Sequence, residues 1–336
     1  MKKKNRRRTI INLILLFFLA AALFYVFGKD YQEILQSIRQ VSVPDLLFLM
    51  GAGMIYQMLD AAVFYTMIHA SLPSFRYRHA VTVTFLTVFG NVTTSGAGSI
   101  PMQSYYLYRH GMPVGAGVGA MMLEYVFHKT AVFLYAAAAI LIQRRWLTQA
   151  VPELLRYVYP GFLICGLIIV ALVLLCTWQK IGRLLARLLE KLPDTGKWSS
   201  RKKEWLKNLA VLYEESQKIL RNPGCCQTLF LLNALKLTWL YLTPFWGIRI
   251  LGISELSMGQ TLILTAVMFL ITGALPNVAG AGPIEFAFLM LFTPCIGRAQ
   301  ASAALILYRI PTYFFPFLVS AGVFLLVNRR MEQETL

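Results

Sequence analysis

Charged residues are scarce in this chain, since Asp, Glu, Lys and Arg make up only 14% of its 336 residues. A soluble globular chain usually carries about 25% charged residues and about 45–50% apolar ones. Here 57% of the sequence is hydrophobic and the mean hydropathy is +0.60. This composition excludes a disordered chain, a secreted disulfide scaffold and an ordinary cytosolic enzyme. It favours a protein whose surroundings are lipid.

Acidic residues are scarcer still, with 15 Asp and Glu against 32 Lys and Arg and a net charge of +17. The basic residues cluster beside apolar runs, which is typical of contact with an anionic membrane surface and not with nucleic acid. The five cysteines form no Cys-x-x-Cys pair, and the four histidines lack metal-ligand spacing. We therefore interpret the cysteines as packing residues and expect no metal, no cofactor and no nucleic-acid partner.

Six apolar runs are long enough to span a bilayer, which requires about 20 residues at 1.5 Å per residue. They cover residues 10–27, 46–70, 114–142, 158–178, 228–251 and 299–327. The first run follows a basic cluster and resembles a secretory signal, with alanines at 20–22 in place of a cleavage site. Because these alanines lie in the middle of the run, we expect a retained membrane helix.

Two further apolar segments, 80–110 and 258–297, are interrupted by glycine-rich sequence. Both interruptions follow the pattern N-V-x(n)-G-A-G-x-I, at residues 91–100 and 277–284, between two short apolar pieces. The glycines alone would also suit close packing between helices. The matching asparagine, the matching flanks and the opposite predicted orientations favour an inverted repeat, in which broken helices meet near the middle of the bilayer.

Basic residues fix the predicted orientation, because Lys and Arg accumulate in cytoplasmic loops. If each interrupted segment returns to the face from which it entered, nearly every basic cluster lies in the cytoplasm, the exceptions being Arg144, Arg145 and Arg156. We therefore predict an all-α polytopic membrane protein with about six full spans plus two re-entrant helical hairpins related as an inverted repeat.

The predicted organisation is a single transmembrane domain in a bacterial plasma membrane, with both termini cytoplasmic. Its parts are a basic N-terminus (1–9), the transmembrane domain (10–327) with a first hairpin (80–110), a basic cytoplasmic loop (179–225) and a second hairpin (258–297), and a cytoplasmic tail (328–336).

Ionisable residues inside the apolar runs are candidate site residues, since a charge near mid-bilayer costs at least about 2.5–3.5 kcal/mol. Asp60 lies in the middle of its run, and Glu124 and His128 are four residues apart, on one helix face where they can pair. The alternatives are a buried hydrogen bond for Asp60 and a self-satisfied structural cluster for Glu124, His128 and Lys129. For Lys236 the alternative is a side chain that extends to the cytoplasmic interface.

Glu285 and Arg309 are the most informative of these residues. Glu285 begins the short helix after the second interruption, where a helix N-terminus stabilises a carboxylate. Arg309 is too deep to reach the interface at low cost, so it needs either Glu285 or a lipid phosphate as its partner. Arg109, near the inner end of the first hairpin, suits either a headgroup phosphate or the positive cytoplasmic face.

Three ordered stretches resemble the membrane region of lysylphosphatidylglycerol synthase/flippase and its stand-alone relatives. They are NVTTSGAGSIPMQSYYLYRHGMPVGAGVGAMMLEYVFHK (91–129), LPNVAGAGPIEFAFLMLF (275–292) and LYRIPTYFFPFLVSAGVFLL (307–326). The resemblance implies a polytopic protein that moves an anionic or modified phospholipid, or a lipid-linked sugar, between leaflets. Aminoacylation of lipid by a soluble C-terminal domain is not expected, since only a few residues follow Arg330.

The family's motifs map onto named positions of this chain. Its Pro-x-x-x-G-x-x-E element corresponds to Pro276, Gly280 or Gly282, and Glu285. Its late Tyr/Trp-Arg corresponds to Tyr308 and Arg309. Its Pro-Met-Gln with a following Tyr-Tyr corresponds to Pro101, Met102, Gln103, Tyr105 and Tyr106. Two stretches depart from the family's pattern and bear on the headgroup. Glu124 is followed by Tyr125 and His128 where many relatives have Glu-Arg-x-x-Asp, and residues 98–101 replace a Gly-Gly-Gln-Pro-like run.

We predict a lipid flippase-like transporter, not an enzyme, whose two hairpin tips form a polar cleft near the bilayer midplane. The predicted substrate-binding residues are Asp60, Asn91, Gly96, Gly98, Gln103, Tyr105, Arg109, Glu124, Asn277, Gly280, Gly282, Glu285 and Arg309. Main-chain amides of the tips, with Arg109 and Arg309, would hold the phosphate. Asp60 and Glu285 would meet a cationic headgroup or carry a coupling proton.

The expected partner is a membrane phospholipid of anionic character. A separate lipid-modifying enzyme as a second partner, and oligomerisation, are compatible with the sequence. Two rival functions are a membrane-embedded enzyme acting on a prenyl or lipid phosphate and a small-solute secondary transporter. The enzyme would need carboxylates, Ser, His or Arg at the hairpin tips, and the first tip has Thr93, Thr94, Ser95 and Ser99 but no Arg or carboxylate.

Overall fold

The computed structural model describes residues 38–94, 99–151, 154–177, 213–214, 216–273 and 282–333, with single positions at 36, 187 and 211. Its principal helices are α1 (Val43–Ser71), α2 (Tyr77–Thr93), α3 (Ser99–Arg109), α4 (Val114–Ala150), α5 (Leu154–Thr177), α6 (Pro223–Ile250), α7 (Met258–Gly273), α8 (Pro283–Ile296), α9 (Arg298–Arg309), a π-helical turn (Ile310–Phe314) and α10 (Phe315–Gln333). The predicted span 10–27 and most of the basic loop 179–225 lie outside the described residues.

Four helical stretches among the described residues are long and apolar enough to cross a membrane. They are Val43–Ser71, Val114–Ala150, Pro223–Ile250 and Arg298–Arg329. Shorter apolar helices occur at Val158–Ala171, Met258–Gly273 and Pro283–Ile296. The prediction of an all-α polytopic membrane protein is confirmed.

Side-chain caps and prolines set where α1 and α6 begin. Ser42 Oγ accepts the backbone N–H of Asp45 at 3.3 Å, and Asn222 Oδ1 accepts the N–H of Cys225 at 3.1 Å. Each cap is followed by a proline in the first helical turn, where its missing N–H would have no intrahelical acceptor. The predicted run 228–251 therefore starts five residues after the first residue of α6, which covers all of the run except its last residue.

A kink divides α4 at Gln143, whose backbone is non-helical with φ −122° and ψ 27°. The predicted span 114–142 ends at this kink. Leu141 and Ile142, the last residues before it, are largely exposed, as lipid-facing side chains are. The polar residues from Gln143 to Arg145 follow at once, so the change from apolar to polar sequence coincides with the break in the helix.

The helices α2 and α3 form an antiparallel pair on either side of the first interruption. Thr87 pairs with Gln103, whose Nε2 donates to Thr87 Oγ1 at 2.6 Å, and His79 Nδ1 lies 3.0 Å from Tyr106 Oη. Because the earlier residue of α2 meets the later residue of α3, the two helices run in opposite directions. This is the arrangement that the first predicted hairpin requires.

The helices α7 and α8 contact each other on either side of the second interruption. They have 16 and 14 residues, and α2 and α3 have 17 and 11. At 1.5 Å per residue, the four arms measure about 16–25 Å, which is less than the hydrocarbon core of about 30 Å. That the two pairs enter from opposite faces stays a prediction.

The last long helix is interrupted at Pro311, which lies in the π-helical turn between α9 and α10. Proline has no N–H to donate to the carbonyl four residues earlier, and the π turn accommodates this gap. The turn packs directly on α1 at Gly53, where an added Cβ would lie 2.2 Å from the Pro311 carbonyl oxygen. Only glycine permits this approach.

Among the described residues, two large apolar clusters and a small third one at Ala136, Cys165 and Leu270 form the interior. The two large clusters adjoin each other. One is built mainly from α4 to α9 around Leu264, Phe288 and Tyr308, and the other from α1 to α4 around Met67 and Leu107. Lipid is as apolar as these side chains, so close packing rather than the hydrophobic effect holds such helices together. Both α4 and α6 contribute to the two clusters, and the candidate site lies where the clusters adjoin.

Candidate functional site

A buried lysine joins two carboxylates from different helices. Lys236 Nζ, on α6, donates to Asp60 Oδ1 of α1 at 2.7 Å and lies 3.6 Å from Glu124 Oε1 of α4. Lys236 is 13 residues from the start of its helix, which places it about 20 Å along the axis. We call Asp60, Glu124 and Lys236 the charged triad. The charged triad brings together Asp60 and Glu124, which were both predicted from the sequence as substrate-binding residues.

Burial within the charged triad is uneven. The Lys236 side chain is 2% exposed, whereas the side chains of Asp60 and Glu124 are 33% and 26% exposed. The ammonium therefore lies behind the carboxylates, which keep part of their surface open. Two carboxylates share one cation, so the triad carries one excess negative charge when all three groups are ionised.

The surrounding side chains fix the helices that carry the charged triad. Trp239 Nε1, one turn after Lys236, donates to the Ala52 carbonyl of α1 at 2.8 Å. Tyr135 and Thr238 join α4 to α6 through their hydroxyls at 2.9 Å. Tyr56, one turn before Asp60, packs against the apolar cluster around Leu264 and Tyr308. The triad is thus held by contacts between all three helices.

A second ion pair joins α8 to α9. Arg309 Nε donates to Glu285 Oε1 at 2.7 Å, and a second guanidinium nitrogen reaches the same oxygen. The other carboxylate oxygen accepts the N–H of Gly282 at 2.6 Å, which caps the start of α8. Gly282 has φ +96°, in the region that favours glycine. The sequence predicted either Glu285 or a lipid phosphate as the partner of Arg309, and the structure shows the pair with Glu285.

The Arg309–Glu285 pair adjoins the π-helical turn. The guanidinium carbon lies 5.2 Å from the centre of the Tyr313 ring, within cation–π range. The two side chains of the ion pair are only 7% and 13% exposed. Because π turns place side chains out of the regular helical register, the turn sets the position of Tyr313 against Arg309.

A cavity of ≈170 Å³ lies beside the charged triad, between α4, α7 and α8. Its lining residues are His128, Lys129, Val132, Phe269, Thr272, Gly273, Pro283 and Ile284. Within the described part of the chain, the buried Nδ1 atom of His128 has no hydrogen-bond partner, and Asn233 of α6 lies close to the ring. Lys129 Nζ lies 5.3 Å from the centre of the Tyr125 ring.

Two sequence expectations are wrong. Lys236 does not extend to the interface, because its side chain is buried and held by Asp60. Among the described residues, Glu124 pairs with Lys236 and not with His128, although the two are one turn apart on α4. Spacing along one helix shows which side chains share a face, but not which partner a neighbouring helix supplies.

The first hairpin carries four of the predicted site residues that the structure describes. Asn91 lies in the last turns of α2, and Gln103 joins α3 to α2 through Thr87. Tyr105 is 52% exposed, and Arg109 is exposed at the end of α3. Gln103 therefore has a structural contact, and a substrate role for this set stays a prediction.

Four other predicted substrate-binding residues belong to the tips of the two predicted hairpins. Gly96, Gly98, Asn277 and Gly280 lie outside the described residues. Five residues at or beside the site were not in the predicted substrate-binding set. Lys236, His128 and Lys129 were noted as ionisable residues within spans, whereas Tyr56 and Tyr313 were not noted at all. The depth of Lys236 within its apolar run was the available signal, and nothing in the sequence distinguishes the two tyrosines from packing residues.

Comparison with known proteins identifies one family. The family model described as "Lysylphosphatidylglycerol synthase TM region" matches residues 10–320 of the chain. The match covers nearly all of the helices described above. No curated protein matches the chain.

Proposed function

The chain belongs to the family of lysylphosphatidylglycerol synthase transmembrane regions, and we propose that it moves a phospholipid between the leaflets of a membrane. The family is a membrane domain associated with lipid-related function. The proposed cargo is an anionic or aminoacylated phospholipid, or a lipid-linked sugar. We also propose that the membrane is a bacterial plasma membrane and that both termini are cytoplasmic.

The charged triad carries the proposal. Charges within membrane spans are costly and usually mark the path of a substrate or an ion. Here an ammonium and two carboxylates from α1, α4 and α6 meet in the middle of apolar helices. A structural pair needs only one carboxylate per lysine, so the second carboxylate is left for another cation.

The exposure of the triad indicates which part of a lipid would bind there. Asp60 and Glu124 keep about a third and a quarter of their side chains accessible, while Lys236 is enclosed. An amino group of a headgroup would meet the carboxylates first and compete with Lys236 for them. Such an exchange holds the amine without leaving either carboxylate unpaired, which avoids the cost of an isolated buried charge.

The ion pair of Glu285 and Arg309 supports the proposal from the second hairpin. Its two charges neutralise each other, and Glu285 also caps α8. The pair fixes the start of α8 beside the cavity rather than offering a free charge. We therefore assign Arg309 a positioning role for the second hairpin.

The test is lipid movement in proteoliposomes made with the purified full chain. Fluorescent analogues of phosphatidylglycerol, aminoacylated phosphatidylglycerol and phosphatidylcholine are placed in both leaflets, and a membrane-impermeant reductant bleaches the outer one. We expect the analogue with an amino group to exchange fastest and phosphatidylcholine to exchange slowly. Protein-free vesicles give the background rate.

Parallel readouts separate the rival functions. Release of phosphate from a prenyl or lipid phosphate would indicate an enzyme. Uptake of a water-soluble substrate without lipid exchange would indicate a small-solute transporter. Either result, together with no lipid exchange above the background, contradicts the proposed function.

A further inference from the structure

We propose that the cavity between α4, α7 and α8 binds the phosphate group of a lipid headgroup, with Lys129 as its cation and His128 as a hydrogen-bond donor. This inference rests on the proposed function and extends it. The residues that line the cavity are not among the substrate-binding residues predicted from the sequence.

Among the described residues, Lys129 provides a positive charge without a carboxylate partner. In the part of the chain that the structure describes, Lys236 and Arg309 pair with carboxylates, whereas no such pair involves Lys129. Its Nζ faces the Tyr125 ring on one side. An ammonium at this depth is costly unless an anion neutralises it.

The C-terminal end of α7 neutralises the Lys129 ammonium only in part. A Cβ added at Gly273 would lie 3.2 Å from Lys129 Nζ, so the ammonium adjoins the last turn of α7. The carbonyls at a helix C-terminus act as roughly half a negative charge. A full positive charge beside them therefore still favours an anion in the cavity.

His128 provides an unused hydrogen-bonding atom. The residue lines the cavity together with Lys129. Among the described residues its buried Nδ1 has no hydrogen-bond partner, and Asn233 of α6 lies close to the ring. A buried polar atom is unfavourable until it is paired. A phosphate oxygen in the cavity would accept a hydrogen bond from Nδ1–H and would remove this cost.

The size of the cavity restricts the ligand to a small group. A volume of ≈170 Å³ is large enough for several water molecules or one small polar group. Sites for whole drug-sized ligands occupy about 300–1,000 Å³. The cavity therefore suits a phosphate with part of its glycerol, while the acyl chains stay outside the bundle.

The walls of the cavity strengthen the interaction with an anion. Val132, Phe269 and Ile284 are apolar, so charges interact more strongly beside them than in bulk water. Pro283 and Ile284 belong to the first turn of α8. Pro283 has no N–H, and the N–H of Gly282 is donated to Glu285, so this helix start favours an anion through its partial positive charge and not through these two positions.

The cavity and the charged triad are adjacent on α4. Glu124 and His128 are four residues apart, which corresponds to one turn and about 6 Å along the axis. A headgroup with both an amine and a phosphate would place the amine at Asp60 and Glu124 and the phosphate at His128 and Lys129. The two sites together would then distinguish an aminoacylated phospholipid from a purely anionic one.

Calorimetric titration of the full chain in an uncharged maltoside detergent tests the inference. The probes are dihexanoyl phosphatidylglycerol and, separately, inorganic phosphate. We expect Lys129→Gln to weaken binding at least tenfold at an unchanged melting temperature, and His128→Phe to weaken it by a smaller factor. Lys129→Arg keeps the charge and should retain most of the affinity. Arg145→Gln removes an exposed charge and should leave the affinity unchanged.

Each result supports the site or overturns it. Loss of binding of both probes in Lys129→Gln identifies a general phosphate site, and loss of lipid binding alone identifies a headgroup site. Equal affinity in the wild type and Lys129→Gln, or no binding by the wild type, overturns the inference. If Lys129→Gln does not fold, Val132→Phe fills the cavity without changing a charge and must give the same loss.

Lipid exchange in proteoliposomes separates this inference from the proposed function. A wild type that exchanges lipid, with a Lys129→Gln variant that exchanges it equally fast, contradicts the phosphate site alone. A wild type that binds phosphate through Lys129 but exchanges no lipid contradicts the proposed function alone.

Discussion

Lys236 and Asp60 are 176 positions apart in the sequence, yet Lys236 Nζ donates to Asp60 Oδ1 at 2.7 Å. This contact joins α6 to α1, two helices that pack along much of their length. Glu124 approaches the same ammonium from α4. One lysine therefore holds three membrane helices in a fixed arrangement.

Replacement of Lys236 by methionine tests this role. We expect Lys236→Met to abolish lipid exchange and to lower the free energy of unfolding, because two carboxylates then lie together without a cation. Loss of one partner from a buried pair costs about 3–5 kcal/mol, and the partial exposure of Asp60 reduces this to about 2 kcal/mol. Thermal unfolding in detergent, followed by tryptophan fluorescence, measures the change.

The matched control removes the opposing charge as well. Asp60→Asn combined with Lys236→Met should regain part of the lost stability while lipid exchange stays absent. A single Lys236→Met variant with wild-type stability and exchange would show that the triad has neither role.

Arg309 is expected to be essential for lipid exchange. Arg309→Ala leaves Glu285 capping α8 but without its cation, so the second hairpin loses its fixed position. We expect exchange to disappear while the amount of protein in the membrane stays close to that of the wild type. Arg309→Lys, which keeps the charge but loses the planar fork, should give an intermediate rate. Arg145→Ala is the control on an exposed arginine, and full exchange by Arg309→Ala would contradict the prediction.

Gly53 is expected to tolerate no side chain. A Cβ there would lie 2.2 Å from the Pro311 carbonyl oxygen, whereas a Cβ at Gly51 would meet nothing within 4 Å. Gly53→Ala should therefore lower the free energy of unfolding by about 1–3 kcal/mol, as overpacking does. Gly51→Ala should leave it unchanged or raise it by less than about 1 kcal/mol. Equal melting temperatures for the two variants would mean that α1 and the π-helical turn are not in close contact.

The topology predicted from charge can be tested by cysteine labelling. In a background without the five native cysteines, Ser199→Cys should react with an impermeant maleimide only from the cytoplasmic side. Gln149→Cys, in the loop predicted to face outward, should react only from outside. Labelling of Ser199→Cys from outside would reverse the predicted orientation.

The sequence predicted the positions of the described membrane helices well, because apolar runs depend on local composition, while the span 10–27 stays a prediction. The end of the predicted span at residue 142 coincides with the kink at Gln143. The helices α1 and α6 begin three and five residues before the predicted runs, at the caps Ser42 and Asn222, which were not predicted. The pairing of Arg309 with Glu285 was among the predicted alternatives, since a deep arginine requires an anion.

The partners within the charged triad could not be predicted in the same way. Periodicity assigns Glu124 and His128 to one face of α4, but the rotation of α6 against that face depends on packing throughout the bundle. The π-helical turn is a similar case. Pro311 signals an interruption of the helix, whereas the choice between a kink and a π turn depends on the contact with Gly53.

The short arms of the two helix pairs have a consequence for the surrounding lipid. A bilayer that meets arms of about 16–25 Å must thin around them or admit water above their ends. Hydrocarbon is then at its thinnest beside the helices that carry the charged triad and the cavity. A headgroup moving along this part of the surface would cross a shorter barrier than in the undisturbed bilayer, before it made any contact with a charged side chain.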